Sequence, residues 1–100
     1  LIVEGIPVLA IATQEELLEK TMSNVKEVKA REATVIGLAM EGNREIKKSV
    51  DEVIYLPRTH AMLTSVLTVV PLQLLAYYAA VARGTDVDQP RNLAKSVTVE

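Results

Sequence analysis

Apolar residues along the chain fall into three short, nearly continuous runs and one long stretch, and each kind of run predicts a different element. The first run is Ile6-Pro7-Val8-Leu9-Ala10-Ile11-Ala12. A short apolar run without alternation is the pattern of a strand buried on both faces of a parallel sheet. Pro7 stands near its beginning, where a lost N–H does least damage. Thr13-Gln14-Glu15-Glu16 then reads as a capping box, with Thr13 accepting from a free helix N–H and Glu16 reaching back. The helix opened there carries Leu17, Leu18, Met22, Val25 and Val28 on one face, with Glu19, Lys20, Lys26, Glu27 and Lys29 turned mostly outward.

Thr34-Val35-Ile36-Gly37-Leu38-Ala39 predicts a second buried strand. The polar stretch 41–48, with the turn signal Gly42-Asn43, fits a loop or a short helix. Val53-Ile54-Tyr55-Leu56 predicts a third strand, ended by Pro57. Residues 59–83 read as one long helix ending at Gly84, which tolerates the left-handed conformation after a last turn, and Pro71 in its middle is expected to kink or interrupt it. Strand, helix, strand, connection, strand, helix is the rhythm of a parallel α/β sheet. Three strands make a partial domain, since open sheets commonly have more, so further strands are expected upstream. A start at Leu1 inside an apolar stretch, with no initiator Met, fits a piece of something longer.

Composition narrows the function classes. Eleven basic against thirteen acidic residues give a net charge of -2, and no basic run offers a footprint for a phosphate backbone, so no nucleic-acid partner is expected. There is no Cys, hence no disulfide and no thiolate metal site. The start lacks the basic region and cleavage pattern of a secretory signal. Residues 61–82 contain no charged side chain and approach the ~20 residues of a membrane-spanning helix. Thr64, Ser65, Thr68, Gln73 and Pro71 interrupt that stretch, and the strands before it call for a soluble sheet. The favoured expectation is therefore no membrane and a helix buried within a soluble protein.

Little in the pattern looks catalytic. His60, alone of its kind, reads as a polar residue in a first helical turn, with no ligand-spaced partner for a metal. Glu15-Glu16 and Asp51-Glu52 are adjacent pairs that read as solvated. Gly42 and Gly84 are isolated, and the hydroxyls of Ser23, Thr59, Thr64, Ser65, Thr68, Ser96 and Thr98 belong to no catalytic triad that the sequence shows. Lys95 lies in the alternating segment Leu93-Ala94-Lys95-Ser96-Val97-Thr98-Val99. On pattern alone it reads as a solvent-facing Lys on an edge strand, with the alternative of an amine lowered in pKa by an apolar setting and able to form a Schiff base.

Two long motifs add what pattern does not supply. The segment Asp86-Val87-Asp88-Gln89-Pro90-Arg91-Asn92-Leu93-Ala94-Lys95-Ser96-Val97-Thr98-Val99-Glu100 resembles the closing segment of glucosamine-6-phosphate synthases, and Pro71-Leu72-Gln73-Leu74-Leu75-Ala76-Tyr77 resembles the motif that precedes it in that family. Pro7 to Ala12, Glu16-Leu17-Leu18-Glu19-Lys20 and Ser23-Asn24 resemble it more loosely. Tyr78 departs from the His that many members have at that position. The resemblance implies an α/β, flavodoxin-like three-layer sugar isomerase (SIS) fold, here a partial domain of three strands and two main helices. It divides the chain into the later part of a second SIS domain, residues 1–84, and a tail closing the sugar site, residues 85–100.

By the same resemblance the parent is a cytoplasmic homodimer that makes glucosamine 6-phosphate from fructose 6-phosphate and glutamine-derived ammonia. Its glutaminase domain and first SIS domain would be partners of this segment. Lys95 matches the residue that engages the open-chain sugar through a Schiff base, and Ala94 matches one giving a backbone contact. The family's catalytic Glu and His and its phosphate-holding loops match nothing here, so the segment alone is expected to be inactive. No cofactor and no metal are expected. The alternative from another class is a noncatalytic sugar-phosphate-binding SIS module.

Overall fold

The computed structural model describes residues 1–89; the expectations for Ala94 and Lys95 therefore lie outside the described residues. The chain divides into two compact units, one of residues 1–69 and one beginning at Val70. The first unit contains a parallel sheet of three strands in the order β1 (Pro7–Ala12), β2 (Thr34–Met40), β3 (Glu52–Leu56). Helix α1 (Leu18–Lys29) connects β1 to β2, and helix α2 (Thr64–Ala82) follows β3. This is the expected α/β architecture of three parallel strands and two main helices.

Register fixes which side chains share a face. Val8 pairs with Val35, Ala10 with Gly37, and Ala12 with Ala39, while Val53 and Tyr55 continue the last two rows on β3. On this face Val25 of α1 is buried against Ala33 and Val35, with Met22, Val28, Val8 and Ala10 around them. Beside it Ile46 joins Ala12 and Ala39, flanked by Leu18, Val50, Val53 and Tyr55. Val35, Leu38 and Ile46 are fully buried, each contributing about 1.5–3 kcal/mol of transfer free energy. The opposite face stays partly open, with Ile11 48% and Ile54 37% exposed.

The connection between β2 and β3 is a 3₁₀ turn, Glu45–Lys48, rather than a long helix. Asn43 starts it, its Oδ1 accepting from the Ile46 N–H at 3.2 Å, and the Tyr55 hydroxyl donates to the Asn43 carbonyl at 2.9 Å. The turn drives Ile46 down onto Gly37, where a side chain would collide: a Cβ there would lie 2.7 Å from Ile46 Cδ1. Asp51 ties this connection to the sheet. Its carboxylate accepts from Lys29 Nζ at 2.7 and 2.9 Å and from the Val35 N–H at 2.7 Å. The Lys29 hydrogen bond, followed by the Val35 N–H, holds the Asp51 pKa below its ordinary value. Asp51 keeps the exposure expected of it, and its carboxylate also brackets α1, β2 and the start of β3.

Two helix boundaries depart from the sequence expectation. The capping box does not form: α1 is entered through a 3₁₀ turn, Glu15–Leu17, with no side-chain cap on Gln14 or Leu17. This turn rotates Leu17 away from the core and leaves it 50% exposed. At its other end α1 closes without glycine. Glu32 adopts φ 63° while its N–H donates to Lys29 O at 2.9 Å and that of Ala33 to Val28 O at 3.3 Å, a Schellman turn.

Helix α2 runs continuously through Pro71, so of the expected kink or interruption the interruption does not occur. A proline removes one N–H and crowds one carbonyl, and a run of helix on both sides tolerates that locally. Its end is as expected: Gly84 has φ 65°, with Gly84 N–H donating to Val81 O and Thr85 N–H to Ala80 O, both at 3.0 Å. The expected burial of this helix is not found among the described residues. Leu74, Leu75, Tyr77, Tyr78 and Val81 are all exposed. Residues Ala61–Ala82 are long and apolar enough to cross a membrane by length and composition, as the uncharged stretch implied.

Candidate functional site

Parallel strands all end on one side, and in open α/β sheets the loops beyond those carboxyl ends form the usual binding crevice. Here β1 runs into Thr13, β2 into Glu41 and Gly42, and β3 into Arg58 and Thr59. A cavity of about 350 Å³ lies there, lined by Thr13, Gln14, Glu15, Glu16, Arg58 and Thr59, with Met40 at its floor and Thr64 and Ser65 from the first turn of α2. A second hollow of about 340 Å³ adjoins it over Asn43, Arg44 and Glu45 and shares Thr13, Glu15, Met40 and Arg58.

Arg58 organises this end of the sheet. Its Nε donates to the Glu41 carbonyl at 3.0 Å and its Nη1 to Glu15 Oε1 at 3.2 Å, so one side chain clasps the exits of all three strands. The pair is largely exposed, so its value lies in geometry more than in stability. Gly42 beside it is required by its backbone, at φ 93°, and not by space, since a Cβ there would make an ordinary contact 3.8 Å from Nη2. Sequence reasoning passed over Arg58, although its position just past the end of a buried strand was the available signal. Thr13 appears as a crevice wall instead of a helix cap.

The remaining sequence candidates take structural parts. His60 accepts from the Met62 N–H at 3.2 Å through Nδ1, as a polar first-turn residue does. Thr68, buried, donates back to the Thr64 carbonyl at 2.8 Å. No cluster of three metal-ligating side chains occurs among the described residues.

The SIS domain profile matches residues 1–83. The chain belongs to the SIS domain family. Over all 100 residues this SIS segment is 63% identical to a glutamine–fructose-6-phosphate aminotransferase (isomerizing) of Symbiobacterium thermophilum and 57% identical to one of Thermus thermophilus. It spans 16% and 17% of the lengths of those curated relatives. Among solved structures, the C-terminal domain of glucosamine-fructose-6-phosphate aminotransferase from Francisella tularensis superimposes with a TM-score of 0.79 at 37% identity, covering 89% of this chain and 25% of that one. The resemblance to glucosamine-6-phosphate synthases and the α/β fold read from sequence are both borne out.

Proposed function

We propose that this SIS segment belongs to a longer isomerizing glutamine–fructose-6-phosphate aminotransferase, which forms glucosamine 6-phosphate from fructose 6-phosphate and glutamine-derived ammonia. The observation that carries the reading is the 63% identity over all 100 residues of the chain. Residues 1–84 are the later part of the second SIS domain and residues 85–100 the segment that closes over the sugar. The parent is a soluble, cytoplasmic homodimer whose glutaminase domain and first SIS domain complete the site, and the exposed face of α2 is covered in that assembly.

In this proposal the neutral amine of Lys95 adds to the C2 carbonyl of open-chain fructose 6-phosphate, and loss of water leaves a Schiff base. Ammonia displaces the Lys amine, and a proton then moves from C1 to C2 to give the 2-amino aldose. Ala94 contributes a backbone contact to the sugar. The proton-shuttling acid/base groups belong to other parts of the parent, so the 100-residue segment alone turns over nothing. Replacing Lys95→Ala in the full-length parent is expected to abolish glucosamine 6-phosphate formation while glutamine hydrolysis persists. Near-normal synthesis by that variant would sink the role of Lys95, and a wild-type parent with no synthesis at all would favour a noncatalytic sugar-phosphate-binding module.

A further inference from the structure

The two hollows at the strand ends, of about 350 and 340 Å³, have Thr13, Glu15, Met40 and Arg58 in common. Met40, the last residue of β2, is buried and forms their shared floor. Above it Arg58 Nη1 donates to Glu15 Oε1 at 3.2 Å, joining residues 43 positions apart in the chain. What crosses the crevice between the hollows is thus a pair of side chains.

The two halves of this bar are held differently. Arg58 has a second hold, its Nε donating to the Glu41 carbonyl at 3.0 Å. The Glu15 carboxylate accepts from Arg58 alone among the described residues, and Glu15 opens a 3₁₀ turn that has no side-chain cap. Both side chains stand largely in water, Arg58 at 65% and Glu15 at 75% exposure. An ion pair so placed shifts an equilibrium by no more than about fivefold. Rotation of Glu15 about its own side-chain bonds therefore breaks the bar without moving the sheet, and exposed side chains make such rotations rapidly.

We propose that the Arg58–Glu15 pair is a size-selective bar across the crevice. Closed, it keeps the two hollows apart and admits only small solutes to Met40. Open, it joins them into one groove nearly twice as large as either, well inside the range of ligand cavities. The inference stands on the shared lining and the ion pair and does not depend on the synthase reading.

The test uses the full-length parent protein carrying Met40→Cys, labelled with two uncharged reagents of the same chemistry, N-methylmaleimide and a biotinylated maleimide. Mass spectrometry of the peptide containing position 40 gives each rate. Removing one arm of the bar by Glu15→Ala should speed the large reagent about two- to fivefold and leave the small one unchanged. Salt at about 1 M, which shortens the screening length to about 3 Å, should give the same rise when Glu15 is present and none in Glu15→Ala. A large-reagent rate unmoved by the substitution, or unmoved by salt, would overturn the proposal, as would equal acceleration of the small reagent. Should Met40→Cys fail to fold, amide exchange in the otherwise unaltered parent decides. The Leu17 N–H, which donates to the Gln14 carbonyl at 3.2 Å, should lose protection about two- to fivefold on Glu15→Ala, and unchanged protection there would equally overturn it.

Discussion

The approach of Ile46 to Gly37 is the tightest constraint in the first unit, and it makes a quantitative prediction. A Cβ at Gly37 would stand 2.7 Å from Ile46 Cδ1, 3.3 Å from Ile46 Cγ1 and 3.4 Å from Val50 Cγ1. Ile46 is fully buried, so it has little room to swing aside. Overpacking of this kind costs about 1–3 kcal/mol. Gly37 lies in a strand at negative φ, so alanine also reduces unfolded-chain entropy, which returns about 0.4–1 kcal/mol. Gly37→Ala should therefore destabilise by about 1–2 kcal/mol. Ile46→Val removes the offending Cδ1 and by itself should cost about 0.5–1.5 kcal/mol. Combined, the two should cost less than their sum by about 1 kcal/mol, because the methyl lost in one is the methyl struck in the other. Amide exchange of the β2 peptide in the full-length parent measures each corner of this cycle, each 1.4 kcal/mol appearing as about tenfold in protection. Additivity within about 0.5 kcal/mol would refute the packing of the turn on β2.

Two further predictions concern single residues. The Asp51 pKa is depressed in the fold, so its stabilising effect is present above its ordinary value of 3.8 and disappears as pH falls through the lower folded value. Protection of β2 amides should thus fall with acid below about pH 4 in the wild type, and Asp51→Asn should flatten that part of the profile; equal slopes would remove Asp51 from the account. Glu32→Gly should stabilise the end of α1 by about 1 kcal/mol, since only glycine adopts φ 63° there without penalty, and amide exchange at Ala33, whose N–H closes that turn, would show it directly.

The strands were legible because their apolar runs are short and bounded. Residues 6–12, 34–39 and 53–56 become Pro7–Ala12, Thr34–Met40 and Glu52–Leu56, and the stripe from Leu18 through Val28 faces the sheet as its spacing implied. What stayed hidden was set by tertiary contacts. Nothing local tells that Glu32 closes a Schellman turn, since the usual glycine is absent, and its carbonyl is held by the Gly5 N–H at 2.9 Å across the fold. Arg58 and Asp51 look like ordinary surface charges until their partners, Glu15 at 43 residues' distance and Lys29 at 22, are brought to them. Capping chemistry at Thr13 was outweighed by the 3₁₀ entry to α1. Of the expected site, Ala94 and Lys95 lie beyond the described residues, and their reading rests on the resemblance of the tail.

The most direct test of the proposed synthase function is borohydride trapping of the full-length parent with fructose 6-phosphate, followed by peptide mass spectrometry. The proposal predicts a reduced sugar phosphate adduct on the peptide containing Lys95, absent when the sugar phosphate is omitted and absent in Lys95→Ala. An adduct on another lysine, with Lys95 unmodified in a protein that makes glucosamine 6-phosphate, would contradict it.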